Sequence, residues 1–209
     1  VAAPWLVALG AIGILYGALV ALVQKDLKRM VAYSSVSHMG YCVMGLFALE
    51  PVAVEGANLQ LINHGLASAG LFATVGMIYE RYHTRKIAEL GGIASQTPWL
   101  AAFFMLFTFS AIGLPGLNGF VGEFMVLAGT FQRAWSGAPA EWATTYLMLA
   151  LLAVAGVVLG AWYMLQAVER VLFGQPRGAT AGEHGAHARD LAWYEVAALA
   201  PLGVFIVWI

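Results

Sequence analysis

The sequence predicts an all-α protein, a polytopic bundle of transmembrane helices with about six spans, one of them discontinuous. Composition is the first reason: of 209 residues, 61% are hydrophobic and 10% are charged, against roughly a quarter charged in a soluble domain. The mean hydropathy is +0.80, and ten basic with eleven acidic side chains cannot cover a soluble globule of this size. The second reason is that the charges cluster and leave long charge-free runs, as in a multi-pass helical protein. The third is a Gly/Pro breaker in the middle of one run, Gly113-Leu114-Pro115-Gly116-Leu117-Asn118-Gly119. A net charge of −1 gives no basic excess for nucleic acid. The single cysteine, Cys42, excludes a disulfide framework.

The spans follow in order, each judged against the ~20 residues that a helix needs to cross about 30 Å of hydrocarbon. Residues 1–24 lack Asp, Glu, Lys and Arg, as do 30–49, 56–79 and 142–168. These runs predict crossings at about 3–24, 29–49, 57–80 and 143–173. A last apolar run, entered through Trp193 and Tyr194, predicts one at 191–209. Together they form a single transmembrane region over residues 1–209. Both ends fall inside apolar runs, which predicts a piece of a longer membrane protein.

Residues 90–132 hold one charge, Glu123, and are too long for one straight helix. They make either two short crossings or one crossing at 99–132 broken at 113–119, and the positive-inside rule discriminates. With one broken crossing, Lys25, Lys28, Arg29, Arg81, Arg85, Lys86, Arg170, Arg177 and Arg189 share one side and Arg133 alone takes the other. Two crossings would spread the basic residues over both sides, so one broken helix is favoured. The acidic loop around Glu50 and Glu55 then falls on the side poor in Lys and Arg.

A break at depth frees backbone groups that lipid cannot satisfy, so it must face protein or a hydrated cavity. Gly113, Pro115, Gly116 and Gly119 form it. Glu123 follows, and a carboxylate at that depth is expensive unless paired, protonated or set in a water path. Proton relay is one reading; a protonated glutamic acid that glues helices is the other. His38 follows Tyr33, Ser34, Ser35 and Ser37, and His64 follows Gln60 and Asn63. Imidazole suits relay because it accepts on one nitrogen and donates from the other, although an isolated intramembrane His more often bridges helices. Lys28 opens a second candidate file with Tyr33, Ser35 and Ser37, against the plainer reading of a snorkelling anchor.

Other signals carry less. Gly156 and Gly160 read as a close helix contact. Glu183, His184 and His187 lack a second ligand pair, so no metal site is expected. Nothing in the sequence provides for an iron–sulfur cluster, flavin or haem.

Three strings resemble the antiporter-like membrane subunits of respiratory complex I: Lys25-Asp26-Leu27-Lys28-Arg29-Met30-Val31-Ala32-Tyr33-Ser34-Ser35-Val36-Ser37-His38-Met39-Gly40; Asn63-His64-Gly65-Leu66; and Gly113-Leu114-Pro115-Gly116 with Gly119-Phe120-Val121-Gly122-Glu123-Phe124. They occur in the family's order. The resemblance implies proton movement through buried ionisable groups near the membrane centre. Glu123 would be the terminal carboxylate of that axis, with His38 and His64 linking it to an earlier lysine region. The L-type and N-type sisters and the cation/proton antiporters usually carry lysine at this position, whereas plastid and cyanobacterial D-type relatives carry glutamate. The resemblance further implies no redox cofactor in this chain, with NADH, FMN, iron–sulfur clusters and quinone handled by other subunits. L-type and N-type sisters would be its partners, and the bacterial inner membrane its location, with the Lys/Arg-rich loops cytoplasmic.

Overall fold

The computed structural model describes residues 2–182, residue 185 and residues 187–208, with Ser136 described by its backbone alone. Eight α-helices carry the fold and no strand occurs among the described residues. They are α1 (Ala3–Leu22), α2 (Leu27–Ala48), α3 (Pro51–Tyr82), α4 (Ile93–Gln96), α5 (Pro98–Ala111), α6 (Asn118–Gln132), α7 (Ala140–Leu172) and α8 (Trp193–Trp208). By length and composition, α1, α3 and α7 are long and apolar enough to cross a membrane. Helix α2 has the length, 22 residues, but Lys28, Arg29, the three serines and His38 lower its hydropathy.

Local chemistry sets most boundaries. Asp26 caps α2 by accepting from the Arg29 N–H at 3.0 Å, the usual way an orphan amide of a first turn is satisfied. Pro51 at the first position of α3 is preset for a helix start. This starts α3 earlier than the charge-free run suggested and places Glu55 on the helix rather than in a loop. At the opposite face the loops before α2 and after α3 are zipped together, Leu27 N donating to Arg85 O (2.8 Å) and Ile87 N to Lys25 O (3.0 Å).

Helices α1 and α2 pack antiparallel on small residues: a methyl at Gly40 would lie 2.7 Å from Gly10 O, and one at Gly17 2.5 Å from Ser37 N. Helix α7 closes on α1 at Gly156, where a methyl would lie 2.1 Å from Ile14 Cγ2. The close contact expected of the G-x-x-x-G pair is made by Gly156 alone; a methyl at Gly160 would meet only the Tyr163 hydroxyl of its own helix, at 3.9 Å. Large apolar side chains such as Leu19, Val158, Trp162 and Val204 are exposed on the outside, the burial pattern of a protein whose surroundings are lipid.

The course of the broken segment is read from its neighbours on α3. Gln96 accepts from Tyr82, Phe107 packs on Gly70, Asn118 binds Asn63 and Gly129 packs on Ala53. Successive contacts step down α3 in one direction, so α5 and α6 make a single antiparallel crossing joined by an unwound stretch. Their 14 and 15 residues amount to about 21 and 22 Å, so neither half crosses alone.

This course creates a polar layer between two apolar cores. One core includes Met30, Val31, Leu71, Phe104 and Phe107; the other includes Ile14, Tyr41, Met44, Ala57 and Val126. Between them lie Ser34, Ser37, His38, Gln60, Asn63, Ser110, Asn118 and Glu123, all buried.

Candidate functional site

The break is built from backbone that only glycine adopts readily. Gly113 has φ +69° and Gly116 φ +99°, each in the region a Cβ disfavours. The α5 chain end turns through Gly113 N to Ser110 O (3.1 Å) and Leu114 N to Phe109 O (3.0 Å), and Pro115, lacking an N–H, asks for no further acceptor. Gly119 lets α6 start against the end of α5: a methyl there would lie 2.0 Å from Ser110 O.

A side-chain clasp holds this geometry. Asn63 Nδ2 donates to the Asn118 main-chain carbonyl at 2.7 Å. Asn118 Nδ2 donates back to Asn63 Oδ1 at 3.1 Å, and Ser110 Oγ donates to Asn118 Oδ1 at 2.7 Å. Donors and acceptors freed by the unwinding are thereby matched inside the protein, as a lipid setting requires.

Glu123 sits one turn below the clasp, 5% exposed. Its Oε1 is 2.9 Å from His38 Nδ1 and accepts from Gln60 Nε2 at 3.1 Å. Its Oε2 faces the break, where a methyl on Gly113 would lie 3.1 Å away. At 2.9 Å one proton is shared between ring and carboxyl: the imidazole donates to the carboxylate, or the carboxylic acid donates to the imidazole. The other His38 nitrogen, Nε2, and the Gln60 carbonyl oxygen are buried with no hydrogen-bond partner. A relay group needs such a second face. His64 stands beside His38, ring centroids 5.2 Å apart and planes tilted by 35°, and is half-buried.

The remaining residues of the candidate file are not brought to Glu123. Lys28 is exposed and lines a groove with Tyr79 and Arg85. Ser35 Oγ returns to Val31 O at 3.2 Å, and Ser37 Oγ crosses to Ile14 O at 2.9 Å, a tie between α1 and α2. Tyr33 is half-buried against the core of the Lys/Arg-rich half.

Three contributors were given no role by the sequence reading: Gln60 and Asn118, which it named only in passing, and Ser110. Gln60, Asn63 and His64 stand at i, i+3 and i+4, the spacing that puts three polar groups on one helix face, so Gln60 was recoverable. Asn118 and Ser110 carried no periodic signal because the break lies between them. Glu183 and His184 lie outside the described residues; among those described, no group of three His, Cys, Asp or Glu could hold a metal.

Comparison with known proteins is consistent with this geometry. The model of the family described as NADH:quinone oxidoreductase/Mrp antiporter, transmembrane, matches residues 1–138. NADH-quinone oxidoreductase subunit M of Rickettsia prowazekii is 40% identical over 206 residues, 99% of this chain and 39% of the relative. The Rhodobacter capsulatus subunit M is 47% identical over 168 residues, 80% of this chain and 30% of the relative. Among solved structures, respiratory complex I from Thermus thermophilus contains a chain superposing with a TM-score of 0.82 at 34% identity, over 99% of this chain and 40% of that one. The chain thus spans about two fifths of the length of such relatives.

Proposed function

The chain belongs to the NADH:quinone oxidoreductase/Mrp antiporter transmembrane family, and from that premise we propose that it is part of an M-type, proton-translocating membrane subunit of a NADH–quinone oxidoreductase. The observation that carries the proposal is Glu123. It is the one charge left at depth, and it shares a proton with His38 beneath a helix break that Asn63 and Asn118 hold open. In this reading Glu123, His38 and His64 relay protons, Gln60 positions the carboxylate, and the clasp keeps backbone strain away from it. Glutamate rather than lysine beyond the break supports the M type over its L-type and N-type sisters, which would be its neighbours in the complex. The chain itself supplies no redox chemistry; NADH, FMN, iron–sulfur clusters and quinone belong to other subunits. The Lys/Arg-rich loops would face the cytoplasm across a bacterial inner membrane.

The test is Glu123→Gln in the intact complex. Proton pumping and coupled quinone reduction should fall at least tenfold while assembly persists; full coupled activity would falsify the role given to Glu123. Because the family also includes antiporters, co-purification separates the readings. Isolation with quinone-reducing, iron–sulfur subunits supports the respiratory reading; isolation with antiporter or nickel–iron hydrogenase partners supports the other.

A further inference from the structure

We propose that Tyr163 is a proton-relay station that connects His38 to the Lys/Arg-rich face through a crevice between α1, α2 and α7. The inference rests on the relay role given above to His38 and Glu123, and it adds the direction from which they are reached.

Tyr163 is 2% exposed, and its hydroxyl has no hydrogen-bond partner, an expensive state for a buried O–H. The hydroxyl points inward along α7, 3.9 Å from where a methyl on Gly160 would stand. It lies beside Ser34 and within electrostatic range of Glu123. Ser34 is one helical turn before His38 on α2, and His38 Nε2 is likewise buried without a partner. Two unmatched polar atoms, the Tyr163 hydroxyl and His38 Nε2, therefore flank Ser34.

On its outer side Tyr163 lines a narrow crevice of about 10 Å³ with Gln24, Met30, Ile87, Gln166 and Arg170. That volume is about what one water needs. Its mouth carries Gln24, Gln166 and Arg170, so a polar route leads from the loops that bear the basic residues to the tyrosine. The opposite side of Glu123 is closed. Methyls at Gly129 and Gly45 would lie 2.4 Å from Ala53 N and 2.6 Å from Ala53 O, and one at Gly56 2.8 Å from Val126 N. Three helices meet there backbone to backbone, over an apolar core of Met44, Ala57 and Val126.

The relay balances without ionising the tyrosine. A water entering from the crevice gives a proton to the Tyr163 oxygen as the hydroxyl passes its own to Ser34 Oγ, and the Ser34 hydroxyl, released from Val31 O, passes its proton to His38 Nε2. His38 then releases its Nδ1 proton to the Glu123 carboxylate, and the crevice water is reprotonated from the surface.

The experiment uses the intact complex in proteoliposomes, with Glu123→Gln as a parallel arm. Tyr163→Phe keeps the ring and its packing while removing the hydroxyl. Pumping should fall at least fivefold in an assembled complex. Pumping within twofold of the unaltered complex, alongside its loss in Glu123→Gln, overturns the inlet and leaves the function intact; unaffected pumping in both arms overturns the function first. A Gln166→Cys variant tests access independently of Tyr163. A membrane-impermeant thiol reagent applied at the Lys/Arg-rich face should modify it and block pumping, and failure to label it, or full pumping once labelled, refutes the route even if Tyr163→Phe does not assemble.

Discussion

At the scale of single residues, the site is an exercise in matching donors to acceptors where water is scarce. Asn63 spends both ends of its amide on Asn118, which makes it structural in a place where its neighbour His64 invites a functional reading. Asn63→Leu leaves the Asn118 amide and main-chain carbonyl unmatched at the break. An unsatisfied buried group costs about 1–3 kcal/mol, so the assembled subunit should lose about 2 kcal/mol, read as a lower temperature of dissociation with the proton path chemically intact. Gln60 differs, since one amide end holds Glu123 while the other has no protein partner. The sequence displayed Gln60, Asn63 and His64 on one face, but which meets the carboxyl, the break or His38 depends on how α6 and α2 lie against α3.

At the scale of elements, the broken helix and the last helix are held by different means. The break depends on two positive-φ glycines and the asparagine clasp. Helix α8, 16 residues with Pro201 inside it, depends on a charge cluster at the Lys/Arg-rich face. Arg81 meets Glu195 in a two-point pair at 2.6 and 3.0 Å, while its Nε donates to Arg189 O at 2.7 Å. Asp190 accepts from the first amides of α5, Trp99 N and Leu100 N, at 2.8 and 3.1 Å, where a carboxylate suits a helix N-terminus. Both members of the Arg81–Glu195 pair are mostly buried, 13% and 10% exposed, so removing one strands the other, at about 3 kcal/mol. Glu195→Ala should loosen α8 from α3 and speed limited proteolysis in the 173–192 connection, without changing Glu123. Sequence reading counted Arg81 only among the basic residues of one side and assigned Glu195 nothing, because partners 114 positions apart leave no local signal.

At the scale of the whole molecule, apolar side chains cover the outside and two apolar cores sandwich a polar layer. The nine-to-one division of basic residues agrees with the single crossing that the contacts along α3 establish. Cysteines introduced at Thr84 and Glu55 should be labelled from opposite sides of the membrane by an impermeant reagent, Thr84 from the cytoplasm; labelling of both from one side would refute the topology. Membrane class, the all-helical fold, the break and the isolated carboxylate were legible in the sequence, because lipid imposes length and charge rules on each segment separately. What only the tertiary structure decided was pairing: Glu123 against His38 and Gln60, Asn63 against Asn118, Tyr163 beside Ser34. Those contacts form between helices far apart in the chain, where the register of one helix on another selects which polar groups meet, and no segment records that register alone.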